Sequence, residues 1–383
     1  MVSPVDYHLF GTHVRFAPGC ASSLRAELDA LGCSRPIILM QRRMLESTHW
    51  QSLSSTLGGA SCRVYGDVPT HGGVSWVESV ARDVTGFTGD CIVAIGGGSV
   101  SDSAKALAML LAEGGRLEDH ATRFTPPASV EIPRRVRAKL PIISLPTTAS
   151  GAEVTPSFGA RSGEHKLLFW NPQVSSTSIL IDPLLSADVP MELLRYTAMN
   201  GLAHCFEGLY SLNRSFVSDA LALQAVEYFS AALVGGGHED MEQRSRLLLG
   251  GHASGMVLSM AKSCLHHAIC HVIGARHSVG HGVVNTVILP HALRFNEGVA
   301  AAALAPALTV LNRVSGTHFS RVSDWLQHAI GELGLPRSLK QLGIKESDLP
   351  TIAAHTMSER GLAFNPRPVT HPDEVISILE QAL

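Results

Sequence analysis

The sequence has few of the features that mark secreted, membrane-bound or nucleic-acid-binding proteins. Its seven cysteines are odd in number and include no CxxC pair, so we expect a reduced, cytoplasmic protein without a disulfide framework. The net charge of -3 provides no general basic field for nucleic acid or an anionic membrane. No apolar run approaches the roughly 20 residues of a membrane span, and the first 16 residues do not resemble a signal peptide.

The 383 residues suit two domains, and a content of 45% hydrophobic and 16% charged residues can bury a large core. Short apolar runs typical of buried strands alternate with helical spacing up to residue 187. From residue 188 onward the strand-like runs stop and long helical patterns follow. We therefore predict an α/β nucleotide-binding domain over residues 1–187 and an all-helical substrate-binding and catalytic domain over residues 188–383.

A glycine-rich turn separates a predicted strand from a predicted helix. The strand is Cys91–Ile95, the turn is Gly96–Ser99, and helical spacing covers Ser101–Leu111. Glycines let the backbone approach a ligand closely, and the start of a helix offers free N–H groups to an anion. We expect this turn to contact a phosphate. It is not the GxGxxG fingerprint of a standard Rossmann turn, and an ordinary βα turn is the alternative.

A second turn, Pro146–Glu153, is rich in hydroxyl groups. Such groups suit phosphate, ribose or amide contacts, although ordinary turn chemistry would also explain them. The segment Arg116–Lys139 is predicted to be a loop, with Arg134–Arg137 forming a solvated face. His165 and Lys166 are also placed in a loop.

Histidines are concentrated between Cys264 and Gly282, which contain five of the chain's 19. Two of them are four residues apart and would share one face of a helix. A second predicted helix has an asparagine and a histidine at the same spacing, and a further histidine lies in a predicted loop flanked by glycines. The polar residues of this constellation are Asn200, His204, His267, His271 and His281.

These imidazoles could bind a metal, anchor a carboxylate or donate a proton. A divalent first-row metal would accept three imidazoles and a carboxylate, but Asn200 stands where the carboxylate would be. Three neutral imidazoles could still bind zinc. Satisfied core and surface histidines are the simpler alternative for any single residue, although less so for the whole group.

The motifs, in their order along the chain, resemble those of the iron-containing (group III) alcohol dehydrogenase superfamily. The resemblance covers nearly the whole chain and implies a dehydroquinate synthase-like fold. Asn200, the adjacent Met199 and the LHHxxCH pattern of Leu265–His271 are similar to the maleylacetate reductase branch, as is the short PTTxxGxE turn. The matching segments are GGGSVSDSAKALA (96–108), PTTASGAEVT (146–155), LHHAICHVIGARHSVGHG (265–282), VILPHALRFN (287–296) and FNPRPVT (364–370).

This resemblance implies a metal-independent reductase that uses NADH or NADPH to convert maleylacetate to 3-oxoadipate in aromatic degradation. His204, His267 and His281 would anchor a carboxylate or polarise the carbonyl, and His271 would donate a proton. The alternative is a metal-dependent alcohol or aldehyde dehydrogenase in which the first three histidines bind iron or zinc. Less favoured alternatives are a non-redox cyclase or lyase and a non-catalytic nucleotide-binding protein. We expect a cytoplasmic homodimer that acts on a small keto acid and has no nucleic-acid or membrane partner.

The resemblance also implies where the dinucleotide binds. Gln41 replaces the aspartate of NAD-selective relatives, and the adjacent Arg42 and Arg43 should tolerate a 2′-phosphate, so we expect NADPH to be accepted. Departures from the maleylacetate reductase pattern include a longer insertion at residues 116–139. The pyrophosphate would lie on Gly97, Gly98 and Ser99, and the ribose and nicotinamide along Asp102, Thr147, Thr148 and Lys166.

Overall fold

A computed structural model describes residues 11–70, 72–125, 129–163, 165–234, 240–277 and 279–383. The chain forms two compact units. The first, here called the α/β unit, contains the described residues up to Thr122 together with Ile132–Pro190. The second, the helical unit, contains Arg123–Glu131 and Met191–Leu383. The predicted combination of an α/β N-terminal region and a helical C-terminal region is confirmed.

The α/β unit contains a parallel sheet of six strands in the order β1-β10-β7-β4-β2-β3, and a separate two-stranded sheet, β8-β9. The two short strands β5 and β6 belong to the helical unit and pair with each other. The strands are β1 (His13–Phe16), β2 (Pro36–Met40), β3 (Arg63–Tyr65), β4 (Cys91–Gly96), β5 (Arg123–Thr125), β6 (Ser129–Glu131), β7 (Ile142–Pro146), β8 (Ser157–Ser162), β9 (His165–Trp170) and β10 (Ser178–Ile181).

The central strands of the parallel sheet are apolar along their whole length because helices cover both of its faces. Every residue of β2, β4, β7 and β10 is buried. The register pairs Met40 with Ile95 and Gly96 with Pro146. The carboxyl ends of β2, β4 and β7 therefore meet at one edge, which is where open α/β sheets bind their ligands.

Helices α1 to α5 complete the α/β unit. The helix after the glycine turn begins at Gly98, earlier than predicted, so Ser99 lies in its first turn. The bounds are α1 (Leu24–Ala30), α2 (Arg42–Leu45), α3 (Thr48–Thr56), α4 (Val74–Asp83) and α5 (Gly98–Glu113).

Two segments that were predicted to be loops contain strands. The insertion holds the β5-β6 hairpin, in which Arg123 pairs with Glu131. Lys166 lies in β9 and pairs with Arg161 of β8. In β9 the apolar residues 167–170 are consecutive, and Phe169 stacks on Phe158 with ring centroids 4.6 Å apart. A short apolar run of this kind does not by itself distinguish a strand from another buried segment.

The basic run of the insertion is only partly a solvated face. Arg134 and Arg137 are exposed, as predicted. Arg135 donates a hydrogen bond to His120 Nδ1 at 2.5 Å, and Lys139 forms an ion pair with Glu113 at 2.6 Å. Part of the charge is therefore used to fix the insertion to the α/β unit.

The helical unit contains α6 to α13. The longest of these, α10, has 35 residues and begins at His281, which was predicted to lie in a loop. The glycines beside His281 were interpreted as flanking a loop, yet Gly280 is the N-cap of α10 and Gly282 lies inside the helix, as does Pro290. The bounds are α6 (Met191–Tyr210), α7 (Phe216–Val234), α8 (Met241–Ala261), α9 (Leu265–His277), α10 (His281–Ser315), α11 (Val322–Glu332), α12 (Leu349–Thr356) and α13 (Pro372–Gln381).

Two of these helices, α7 and α10, are long and apolar enough to cross a membrane by length and composition alone. The sequence analysis had found no such run. Within the helical unit, α7 packs against α6, α8 and α10, and α10 packs against α6 and α9. A helix that packs on several neighbours is apolar around much of its surface, which raises its apolar content.

Candidate active site

Helices α6 and α9 bring Asn200, His204 and His267 together inside the helical unit. The side chains are 8%, 4% and 3% exposed, respectively. The rings of His204 and His267 stack with centroids 4.9 Å apart. Nε2 of each ring lies 3.3 Å from the Asn200 amide, His204 at its nitrogen and His267 at its oxygen. The two imidazoles therefore converge on the asparagine that distinguishes this chain from the metal-binding pattern.

Helix α10 completes the cluster. Asn285 Nδ2 donates hydrogen bonds to Asn200 Oδ1 at 3.0 Å and to the His281 carbonyl at 2.8 Å. The His281 ring lies 5.8 Å from that of His267 and 5.6 Å from that of His271, measured between centroids. The structure thus gathers the five residues of the sequence constellation and adds Asn285.

Glu207 is a buried carboxylate that the sequence analysis missed. Its Oε1 accepts hydrogen bonds from the backbone N–H groups of His266 and His267 at 2.8 and 3.4 Å. Its Oε2 lies 2.5 Å from Nδ1 of His267. A carboxylate here satisfies unpaired N–H groups at the start of α9 and fixes the imidazole ring. Its spacing from Asn200 and His204 on α6 places all three residues on one helical face, so the signal was available.

Burial decides the charge of this cluster. It lowers the pKa of His204 well below its usual value, and the neighbouring His267 and His271 lower it further. Burial likewise lowers the pKa of His266, to about 3. It raises the pKa of Glu207, a shift that His266 and the backbone N–H groups oppose. His204 and His266 are therefore neutral near pH 7 and can exchange hydrogen bonds but cannot provide a positive charge.

His271 lies in a more open environment than His267. Its Nδ1 is 3.3 Å from Oε2 of Glu359, and the two side chains are 19% and 26% exposed. Glu359 directly precedes a 3₁₀ turn, Arg360–Phe364, that packs against α9. The two partners are 88 residues apart in sequence. No local pattern could have identified this pair.

The residues at the positions of the family's metal ligands do not fit a divalent metal. Asn200 offers a neutral amide, and its oxygen already accepts a hydrogen bond from Asn285. In the described part of the chain, two sets of three candidate ligand groups lie within 4.8 Å of one another, and neither contains His204 or His281. Iron and zinc sites favour charged or imidazole ligands that converge on one point. In this donor set a neutral amide replaces the carboxylate, and His204 and His281 belong to neither of those sets.

The α/β unit has its own pocket at the carboxyl edge of the sheet. Gln41, Arg43 and Thr147 line it, with Gly96 at the end of β4. Arg42, which was predicted to bind the cofactor, lies outside the lining of this pocket and forms an ion pair with Glu46 at 3.2 Å; its side chain is 85% exposed. Successive side chains at the start of α2 point in different directions, so only one of the two arginines faces the pocket.

The two predicted phosphate-contacting turns lie against each other. A Cβ atom at Gly97 would lie 2.7 Å from Thr148 Oγ1, and one at Gly98 would lie 3.4 Å from Ser150 Oγ. Gly97 is thus required by close packing. Thr148 Oγ1 is buried and has no hydrogen-bond partner among the described residues. An unpaired buried hydroxyl beside the first turn of α5 fits a bound phosphate or ribose.

Asp102 and Lys166 also lie close together. Asp102 Oδ2 accepts a hydrogen bond from the Gly159 N–H at 3.1 Å, and a Cβ atom at Gly159 would collide with the Lys166 side chain. Burial raises the pKa of Asp102, and Lys105 and Lys166 oppose this shift. Lys105, which the sequence analysis overlooked, donates hydrogen bonds to Thr155 Oγ1 and the Ser157 carbonyl at 2.9 and 3.0 Å. It fastens the second turn to α5.

Comparisons with known proteins agree on one family. Residues 11–183 match the family model described as iron-containing alcohol dehydrogenase. Residues 195–383 match the C-terminal model of the Fe-containing alcohol dehydrogenase family.

Characterised relatives cover almost the whole chain. It is 28% identical to maleylacetate reductase 1 of Cupriavidus pinatubonensis over 367 residues, which cover 95% of this chain and 93% of the relative. It is 29% identical to the maleylacetate reductase of Burkholderia cepacia over 374 residues, which cover 96% and 95%. The crystal structure of maleylacetate reductase from Agrobacterium tumefaciens superimposes with a TM-score of 0.81 at 25% identity and covers 100% of this chain and 98% of that one.

Proposed function

The chain belongs to the iron-containing alcohol dehydrogenase superfamily, and we propose that it is a metal-independent, NAD(P)H-dependent reductase of a maleylacetate-like keto acid. Its oxidoreductase class follows from the family, and the substrate and the independence from metal are the proposal. The reaction adds a hydride from the nicotinamide and a proton from the enzyme across the conjugated carbon–carbon double bond. With maleylacetate the product is 3-oxoadipate.

The observation that carries this proposal is the Asn200 amide at the centre of the histidine cluster. Its nitrogen lies 3.3 Å from Nε2 of His204 and its oxygen lies 3.3 Å from Nε2 of His267, both within hydrogen-bonding distance. Asn285 Nδ2 donates a hydrogen bond to the oxygen of the same amide. A hydrogen-bonded amide can orient the two imidazoles toward a substrate carbonyl and make a Lewis acid unnecessary.

His271 is the proposed proton donor. It is more exposed than His267, and Glu359 holds its ring through Nδ1. This contact leaves Nε2 for the substrate. General-acid catalysis requires a side chain of this kind that can reach the reacting atom and is held in one orientation. His204, His267 and His281 would orient and polarise the carbonyl oxygen by hydrogen bonding.

A metal-dependent alcohol or aldehyde dehydrogenase is the second candidate, and one contact favours it. Glu207 Oε2 lies 2.5 Å from Nδ1 of His267. Histidines that bind metals commonly donate their second N–H group to a carboxylate in this way. The Asn200 amide argues against this candidate, and the metal content of the protein decides between the two.

For the cofactor, we propose that Arg43 binds the 2′-phosphate of NADPH. Arg43 lines the pocket with Gln41, whereas Arg42 points to Glu46. Arg43→Ala should raise KM for NADPH about tenfold or more, because a charge-assisted hydrogen bond to phosphate contributes about 1.5–3 kcal/mol. KM for NADH should change little. Steady-state kinetics with each nucleotide measure both values.

Arg42→Ala is the matched control, since it removes the same charge from the neighbouring, exposed position. It should leave both KM values near those of the wild type. An equal effect of Arg42→Ala and Arg43→Ala on KM for NADPH would contradict the assignment. A strong preference of the wild type for NADH would also contradict it.

The experiment that tests the substrate is NADPH oxidation by the purified protein with maleylacetate and a panel of keto acids and aldehydes. We expect the highest kcat/KM for maleylacetate and 3-oxoadipate as product. A preference for simple aldehydes would favour the second candidate. A homodimer in the cytoplasm remains the expected setting of the reaction.

A further inference from the structure

The connection between α8 and α9 contains a lysine in an unusual backbone conformation. Lys262 follows the last residue of α8 and has φ 67° and ψ 164°. This region of backbone space is almost confined to glycine, and other residues that adopt it concentrate at active sites and ligand clamps. The two helices meet here at an angle of 107°. The fold therefore keeps a strained lysine at a sharp bend directly before the histidine-bearing helix.

A second cation lies beside the same connection. Arg360 is the first residue of the 3₁₀ turn Arg360–Phe364. The second residue of this turn, Gly361, packs against the connection between α8 and α9. A Cβ atom at Gly361 would lie 2.5 Å from the Cys264 carbonyl oxygen and 3.4 Å from that of Ser263. Because Lys262 and Ser263 are adjacent, the two cationic residues come from backbones in direct contact.

In the part of the chain that the structure describes, Lys262 has no carboxylate partner, and Arg360 has only the electrostatic influence of the adjacent Glu359, which raises its pKa against the effect of burial. Lys262 Nζ donates to the Ser259 carbonyl at 3.0 Å, which uses one of its three N–H groups. Among the described residues, the Arg360 guanidinium has no hydrogen bond or ion pair. Burial lowers the pKa of both groups, and Arg360 lowers that of Lys262 further. Two like charges that are partly withdrawn from water are stabilised when an anion binds between them.

One of these cations is adjacent in sequence to the carboxylate that holds the proposed proton donor. Arg360 directly follows Glu359, whose Oε2 is 3.3 Å from Nδ1 of His271. Two other sources of positive charge near the cluster are already used or lost, because burial makes His204 neutral and Glu207 occupies the first N–H groups of α9. Lys262 and Arg360 are therefore candidate partners for a carboxylate of the substrate.

We propose that Lys262 and Arg360 form a subsite that binds a carboxylate of the substrate and makes the enzyme selective for dicarboxylic over monocarboxylic keto acids. The proposal rests on the proposed function, because it takes the histidine cluster as the reaction centre. It adds the substrate class to that function. Carboxylate recognition by a guanidinium and an ammonium group together is strong because both hydrogen bonds are charge-assisted.

The kinetic test compares maleylacetate with its monoester, in which the carboxylate remote from the double bond is capped. Lys262→Met and Arg360→Met should each lower kcat/KM for maleylacetate about 10- to 100-fold, mainly through KM. They should change kcat/KM for the monoester and KM for NADPH little. Lys262→Arg and Arg360→Lys should recover most of the loss. Lys340→Met, at an exposed position, is the matched control.

A binding measurement tests the subsite without turnover. Calorimetric titration should show that adipate binds to the wild type more tightly than hexanoate, and that Arg360→Met and Lys262→Gly abolish this difference. Lys262→Gly is useful because glycine suits φ 67°, so its melting temperature should be equal to or higher than that of the wild type. Loss of adipate binding in a variant that remains folded then reports on the charge.

Two results would overturn the subsite. One is equal adipate affinity in the wild type and both variants. The other is a rise in KM for NADPH without any effect on maleylacetate, which would assign the cations to a cofactor phosphate. If maleylacetate is not reduced at all, the proposed function fails while the adipate titration still decides the subsite. If the wild type and all variants reduce maleylacetate equally well, the subsite proposal is wrong and the proposed function is supported.

Discussion

Replacing His271 with alanine is expected to lower kcat about 100- to 10,000-fold, which is the usual contribution of general-acid catalysis. Two imidazoles of the cluster contact a carboxylate, and His271 is more accessible than His267. Glu359 Oε2 lies 3.3 Å from Nδ1 of His271 and holds the ring. Without it the proton must come from water. Steady-state oxidation of NADPH with saturating maleylacetate measures the effect on kcat separately from KM.

Two controls make this result specific. His355→Ala removes an exposed histidine of the same unit and should leave kcat unchanged. Glu359→Gln keeps a hydrogen-bonding partner for the ring and should lower kcat by less than the loss of the imidazole itself. Near-normal turnover of His271→Ala would remove this residue from the mechanism, and a change confined to KM would make it a binding residue.

Glu207→Ala should lower the free energy of unfolding by several kcal/mol, since each buried donor left without a partner costs about 1–3 kcal/mol. The carboxylate is fully buried and accepts hydrogen bonds from two backbone N–H groups at the start of α9. It also holds Nδ1 of His267. Alanine would leave these donors buried without partners. Urea unfolding followed by circular dichroism measures the change.

The conservative variant separates packing from charge. Glu207→Gln keeps the side-chain volume and one acceptor oxygen. It should therefore recover a large part of the stability that Glu207→Ala loses, while its activity should still be lower than that of the wild type. Glu242→Ala is the surface control, because its carboxylate is 69% exposed in an ion pair with Arg246. Such exposed pairs contribute about 0–1 kcal/mol. A loss below about 1 kcal/mol for Glu207→Ala would contradict the role described for this carboxylate.

The strands of the parallel sheet were predictable because each is a short apolar run buried on both faces, as in β2 and β4. The sequence analysis was wrong about the secondary structure of Lys166 and His281, for two different reasons. Lys166 belongs to β9, in which the apolar residues 167–170 are consecutive and show no strand-like alternation. His281 begins α10 beside glycines and before Pro290, signals that usually indicate a turn. Packing of α10 against α6 and α9 outweighs these local preferences.

Some contacts of the candidate site could be predicted from the sequence, and others could not. The spacing of Asn200 with His204, and of His267 with His271, predicted shared helical faces, and Glu207 could have been found from the same periodicity. Contacts between distant segments could not be predicted. Glu359 and Asn285 reach the cluster through the packing of separate helices and turns. The choice of Arg43 over Arg42 likewise depends on the direction of side chains in a short helix.

The central claim is that the histidine cluster works around the Asn200 amide without a metal. The most direct test is to determine the metal content of protein purified without chelators and to measure NADPH oxidation with maleylacetate before and after dialysis against a chelator. We predict metal well below one equivalent per chain and an unchanged kcat after dialysis. One bound iron or zinc per chain, with turnover lost on chelation and restored by that metal, would contradict the account.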